Sequence, residues 1–91
     1  MRVVVRWPDG SRMTCYSPSL IIREYLEVGA AYSVPEFLDR SRTALSLASD
    51  RVREKFGYPC ARAARQLAQI EAKSRALSDL GGAVCIESYR D

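Results

Sequence analysis

The sequence contains three cysteines and no histidine, which limits the chemistry that its side chains can perform. Ser-His-Asp triads, Cys-His pairs and mixed Cys/His zinc sites all need an imidazole. Cys15, Cys60 and Cys85 lie far apart and form no C-x-x-C pair. We therefore predict no catalytic residue, no metal site and no cofactor, and we favour a protein that is not an enzyme.

Cys60 is the residue most open to a functional interpretation. It lies in the stretch KFGYPCARAARQ, where a predicted helix begins, and a helix N-terminus favours anions and thiolates. With Tyr58 and Arg62 it forms a candidate binding site. The alternative is that Cys60 is a small core residue at the margin of the apolar stripe of its helix.

Two further stretches could bind a ligand. The hydroxyls of Ser17 and Ser19 flank a proline at a predicted helix start, where they either hold an anion or cap the helix. Trp7 precedes the turn Pro8-Asp9-Gly10 and completes the candidate binding set. Turn chemistry explains Asp9 without a catalytic role.

The charge of the chain is unevenly distributed. The segment Arg40–Arg65 carries seven basic and two acidic residues, which gives it a net charge of +5. Because the whole chain has a net charge of +3, the remaining residues together carry −2. Such asymmetry is found in proteins that bind nucleic acids, which is one alternative function. However, acids separate the arginines, and pairs such as Glu36–Arg40 are typical of a solvated helix, so we consider nucleic acid an improbable partner.

These candidate residues are positioned by a β-hairpin and two long helices. Alternation of apolar and polar residues predicts strands on both sides of the turn at Pro8–Gly10. Ser33 and Glu36 form a capping box, which opens a helix that ends at Gly57. Its apolar stripe runs from Val34 to Phe56. A second helix follows from Cys60 to Leu77, and the short link makes the pair antiparallel.

The remaining segments are less regular. We predict a short helix over Ser19–Val28, capped by Ser17, although its β-branched and aromatic residues also suit a strand. Gly29–Tyr32 is predicted as a loop. The last strand is predicted over Ala83–Tyr89, with Val84 and Ile86 on one side and Cys85 and Tyr89 on the other.

Together these elements predict a single α+β domain over residues 1–91. A small antiparallel sheet, made of the N-terminal hairpin and the C-terminal strand, packs against an antiparallel helix pair. An open sheet edge would allow a homodimer. No apolar run is long enough to span a membrane, and no signal peptide precedes the first strand, so we expect a cytoplasmic protein without membrane contact.

Several of these pieces occur in the same order in a known family. The stretches Arg6–Gly10, Cys15–Ser19, Glu36-Phe37, Ala48–Val52 and Gly57–Cys60 together resemble a family of small bacterial nitrogen-starvation-response proteins. The resemblance implies a gene neighbourhood, because such proteins are similar to ones encoded beside a nitrilase, a radical SAM protein, an acetyltransferase, an AIR-synthase-like protein and a flavoprotein. The resemblance implies a role in nitrogen limitation and nitrile use, and no catalytic residues come with it.

The sequence thus favours a small non-catalytic accessory protein that binds an enzyme encoded in the same gene island. One alternative is a binder of a small anionic ligand near Cys60 and Ser17–Ser19. Another is a nucleic-acid-binding regulator that uses the region Arg40–Arg65.

Overall fold

The fold is a two-layer α+β arrangement, seen in a computed structural model that describes residues 1–77 and 79–90. The four strands are antiparallel in the order β2-β1-β4-β3, with β1 at Arg2–Arg6, β2 at Arg12–Tyr16, β3 at Ala31–Ser33 and β4 at Ala83–Arg90. The helices are α1 at Ile22–Tyr25, α2 at Val34–Phe56 and α3 at Ala61–Ala76. This confirms the predicted α+β fold, in which a helix pair packs on a hairpin and a C-terminal strand.

The β1–β2 turn forms as predicted and is also tied to a helix. Gly10 adopts a φ of 88°, which favours glycine, and its N–H donates to the Trp7 carbonyl at 2.9 Å. The Asp9 carboxylate accepts hydrogen bonds from the N–H and hydroxyl of Ser11 at 3.0 and 2.6 Å. Its other oxygen lies 2.9 Å from Nζ of Lys73 on α3. The turn therefore anchors one end of α3 to the sheet.

Strand β3 was not predicted, because its segment was expected to be part of a loop. Gly29, at a φ of 87°, donates its N–H to the Ile86 carbonyl at 2.9 Å, and the Ile86 N–H donates to Ala30 at 3.0 Å. This exchange brings Ala31 opposite Cys85 and starts the strand. Three residues are too few to show a period of two in the sequence, so β3 depends on its partner.

The predicted helix over Ser19–Val28 is wrong in extent, since only Ile22–Tyr25 is helical. Ser17 does not cap it: its hydroxyl donates to the Ser19 carbonyl at 2.8 Å and accepts the Ser19 N–H at 3.3 Å. This local turn satisfies the hydroxyl before the helix begins. The segment after Tyr25 leaves the helix and leads into β3.

The two long helices begin and end close to the predicted residues. Ser33 Oγ accepts the Glu36 N–H at 3.3 Å and caps α2, which ends where Gly57 adopts a φ of 83°. Cys60 is the first residue outside α3. A salt bridge of 3.2 Å between Arg42 and Glu71 joins the start of α2 to the later part of α3, as an antiparallel pair requires.

The core lies between one face of the sheet and the helices. Trp7 packs edge-on against Phe37 of α2, with ring centroids 5.2 Å apart and an interplanar angle of 82°. Both side chains are almost fully buried. The other large buried apolar residues include Val3, Val5, Ile22, Leu26, Leu45, Ile70, Val84 and Ile86.

A β-bulge in β4 changes which side chains enter this core. Val5 pairs with Ile86 while Val4 pairs with Ser88, so Glu87 is an extra residue. After the bulge, Tyr89 lies on the core side opposite Val3, and its hydroxyl donates to the Leu26 carbonyl. The prediction that Tyr89 shares a side with Cys85 is therefore wrong. Burial raises the pKa of Tyr89 to about 12.

We expect Phe37→Ala to destabilise the fold by about 3–5 kcal/mol, because it removes the ring that covers Trp7 and leaves a cavity. Denaturant unfolding measures this change. The matched control is Phe56→Ala, since Phe56 is 56% exposed and its loss should change stability by no more than about 0.5 kcal/mol. Equal losses for both variants would contradict the position of Phe37 in the core.

The contacts of the Asp9 carboxylate with Ser11 and Lys73 should make the free energy of unfolding depend on pH. Hydrogen bonds from Ser11, followed by the charge and hydrogen bond of Lys73, hold the pKa of Asp9 below its usual range. A depressed pKa stabilises the fold above the ordinary carboxyl pKa, and this stabilisation is lost as the pH falls through the folded-state value. We expect Asp9→Asn to be less stable than the wild type at pH 7. The difference in unfolding free energy should shrink below about pH 4.

Candidate functional site

The end of the helix pair extends beyond the core and forms the most distinctive surface of the molecule. We call residues 49–62 the hairpin tip. The last buried residue of α2 is Ala48 and the first of α3 is Ala63, and no residue between them is buried. Helix α2 therefore continues for eight residues, about 12 Å, past its last core contact.

Two aromatic side chains lie in the solvent at the hairpin tip. Phe56 is 56% exposed and Tyr58 is 63% exposed, and their ring centroids are 6.2 Å apart. The Lys55 ammonium lies 5.5 Å from the Phe56 ring centroid. Phe56 was predicted in the apolar stripe of α2, and the stripe does continue to it, but the core ends two turns earlier.

Cys60 belongs to the hairpin tip but lies at its inner end, next to the core, and it is only partly exposed. Its N–H donates to Ser49 Oγ on α2 at 3.2 Å, which fixes the start of α3 against α2. Its side chain contacts the core cluster as one of the partly buried residues. This position fits the interpretation of Cys60 as a small packing residue, although a role in binding stays a prediction.

A groove of about 240 Å³ lies between α2 and α3, beside the Cys60–Ser49 contact. Its floor includes the buried residues Leu45 and Ala63, and its rim includes Asp50 and Arg53. Because the rim carries one charge of each sign, the groove has no net preference for an anion.

The structure does not bring the two predicted anion-binding stretches together. Ser19 Oγ accepts a hydrogen bond from Arg51 at 3.2 Å, whereas Cys60 contacts Ser49. Ser49 and Arg51 are two residues apart on α2, which places them about 200° apart around the helix axis. Ser19 and Cys60 therefore lie on different sides of α2. Ser17 is fully buried. An anionic ligand that spans both stretches gains no support from this arrangement.

Arg62 lies at the edge of the sheet. Its guanidinium stacks over the Tyr16 ring, 4.0 Å from the centroid. Near it, the side-chain oxygen of Gln66 accepts the Tyr16 N–H at 2.9 Å. Helix α3 thereby satisfies one backbone group of the edge strand β2, and this reduces the edge available for pairing with another chain. Gln66 is buried and was not predicted to have this role.

Trp7, the last predicted binding residue, is 1% exposed. Its indole is covered by Phe37, as described above, so it is not on the surface. Its participation in binding stays a prediction.

The basic segment Arg40–Arg65 does not form one face. Arg40 donates to the Tyr25 carbonyl at 3.1 Å and lies over the Tyr32 ring, 4.6 Å from the centroid. Arg42, Arg51 and Arg62 have the contacts given above. With Lys55, which lies over the Phe56 ring, five of the seven basic side chains thus contact other parts of the chain, and this limits the charge available to a nucleic acid.

The described residues contain no group of three or more acidic or cysteine side chains placed to hold a metal ion. No helix within residues 1–77 and 79–90 is long and apolar enough to cross a membrane.

The fold and surface define a small α+β protein whose helical hairpin presents exposed aromatic residues. A family model described as nitrogen starvation-induced protein NitG matches residues 2–89, and the chain belongs to this family. The match confirms the resemblance to nitrogen-starvation-response proteins. Comparisons with curated proteins and with solved structures gave no match.

The three thiols should react at different rates with DTNB, a thiol reagent. Cys85 is exposed, Cys60 is partly buried, and Cys15 is buried with its pKa raised to about 12 by burial. We expect Cys85 to react first, Cys60 more slowly and Cys15 only after unfolding. The variants Cys85→Ala and Cys60→Ala assign the two phases. If Cys60 were the fastest thiol, its interpretation as a packing residue would be wrong.

Proposed function

We propose that this protein is a non-catalytic accessory protein of the nitrogen-starvation response, and that it acts by binding a partner protein through the hairpin tip. The observation that carries the proposal is the exposure of Phe56 and Tyr58, 56% and 63%, in the part of the helix pair beyond its last buried residues, Ala48 and Ala63. Large aromatic side chains are enriched among the residues that contribute most to protein–protein affinity.

The hairpin tip is held in shape before any partner binds. Gly57 ends α2 with its N–H bonded to the Arg53 carbonyl at 2.7 Å, and the Ser49–Cys60 hydrogen bond closes the link from the other side. A preorganised surface loses less conformational entropy on binding than a flexible loop. The two rings can therefore act as anchors at a fixed spacing.

The proposed partner is an enzyme encoded in the same gene island. This follows from the resemblance to proteins encoded beside a nitrilase and a radical SAM protein. A second copy of the chain, giving a homodimer, is the alternative occupant of the tip. The free cysteines fit a reducing cytoplasm, which is the proposed location.

The test is affinity purification of the tagged protein from nitrogen-starved cells, with the double variant Phe56→Ser/Tyr58→Ser alongside the wild type. We expect the wild type to retain an enzyme of the island and the variant to lose at least about tenfold of it, since two anchor residues are removed. The matched control is Leu20→Ser/Leu80→Ser, because both leucines are 59% exposed and lie outside the tip.

Recovery of no island protein by the wild type would contradict the proposal. So would equal recovery by the tip variant and the wild type. If the tip variant instead shifts the chain from dimer to monomer in sedimentation, the tip binds a second copy and not an enzyme.

A further inference from the structure

The face of the sheet that points away from the helices is exposed and basic. Because alternate strand residues point to opposite faces, the outward side chains are those between the buried ones. We define the outer sheet face by Arg2, Val4, Arg6, Arg12, Thr14 and Arg90. All four arginines are exposed, whereas Val4 is partly buried in the centre.

These arginines form two cross-strand pairs. Arg6 lies directly opposite Arg12, and Arg2 lies directly opposite Arg90. Like charges at directly opposite positions repel each other and destabilise a sheet. A structure that keeps two such pairs on one face should therefore place an anion near each.

The first pair has its anion within the chain. The two carboxylate oxygens of Glu87 lie 2.9 Å from Arg6 and 2.8 Å from Arg12, so Glu87 bridges the pair. The bulge makes this contact possible, because it gives β4 an extra residue at Glu87.

The second pair has no such partner in the described part of the chain. Neither Arg2 nor Arg90 forms an ion pair or a side-chain hydrogen bond among residues 1–77 and 79–90. Arg90 is on this face because of the bulge, since strict alternation would place it on the same side as Val84. A carboxylate from another molecule could occupy the position that Glu87 has at the first pair.

The chemistry of this face favours a protein over a nucleic acid. Tyr16 lies opposite Arg2 in the sheet, and the Arg62 guanidinium covers one side of its ring. A nucleic-acid base could therefore not stack on that side of the ring. Two unpaired arginines are few compared with the roughly six to ten phosphates that nucleic-acid-binding proteins often neutralise. A second copy of the chain is disfavoured, because face-to-face contact would bring arginines against arginines.

We propose that the outer sheet face is a docking surface for a carboxylate-rich segment of a partner protein, with one carboxylate bridging Arg2 and Arg90. This inference rests on the proposed function, because it assigns a second contact and a chemistry to the bound partner. The Glu87 bridge between Arg6 and Arg12 shows the geometry of the expected contact.

The probe is hexaglutamate, titrated into the ¹⁵N-labelled full chain at low ionic strength and followed by NMR. We expect amide shifts at Arg2, Val4, Thr14 and Arg90. The double variant Arg2→Gln/Arg90→Gln should weaken binding at least about tenfold, since it removes both charge-assisted contacts. The matched control is Arg53→Gln/Arg65→Gln, which removes the same charge from the helices and should change binding by less than about twofold.

The inference would be overturned by a failure of hexaglutamate to bind, by equal weakening in the two double variants, or by tighter binding of a single-stranded oligonucleotide of equal charge at the same residues. The hairpin-tip variant separates this inference from the proposed function, because it should bind hexaglutamate like the wild type. If the affinity purification recovers no island enzyme while hexaglutamate binds as expected, the proposed function is wrong, but the outer sheet face still binds carboxylates. If the purification succeeds but is unchanged by Arg2→Gln/Arg90→Gln, only the second contact is wrong.

Discussion

The pairing of β4 between β1 and β3 is the interaction on which the rest of the structure depends. It joins the N-terminal hairpin, which alone would be marginally stable, to the short strand β3. It also gives the sheet a continuous apolar face, formed by residues such as Val3, Val84 and Ile86, and this face must be covered. The helices take their positions because they bury it.

The bulge at Glu87 affects both faces of this sheet. On the inner side it allows Tyr89 to reach the backbone of the segment around Leu26, so the end of β4 holds the short helix in place. On the outer side it allows Glu87 to neutralise Arg6 and Arg12, and it turns Arg90 towards Arg2. One inserted residue thus determines both a packing contact and the charge pattern of the exposed face.

The helix pair is longer than the sheet needs for burial. Its inner part covers the core, through contacts such as Trp7–Phe37, while its outer part extends into solvent. Residues that do not stabilise the core but remain ordered are available for recognition. The exposed rings at the hairpin tip and the basic sheet face lie on different surfaces, which would allow one partner to be held at two points.

Local sequence signals predicted the elements that depend on local physics. The turn at Pro8–Gly10, the Ser33 cap and the stop at Gly57 are each formed by a few neighbouring residues, and all three are present. The apolar stripe of α2 predicted which side faces the core. It did not predict where the core ends, because Phe56 and Phe37 both belong to the same stripe, and the pattern does not show how far the covering sheet extends.

The sequence by itself therefore determined the hairpin, the two long helices, the absence of histidine chemistry and the likeness to nitrogen-starvation-response proteins. The tertiary structure decided the features that need a distant partner: strand β3, the shortening of the helix before it, and the hydrogen bond from the Tyr16 N–H to the Gln66 side chain. It also decided the side on which Tyr89 and Arg90 lie, because a bulge follows from strand register and not from composition. Candidate residues such as Cys60 and Ser17 were chosen by type, whereas their burial and separation depend on how α2 packs between their segments.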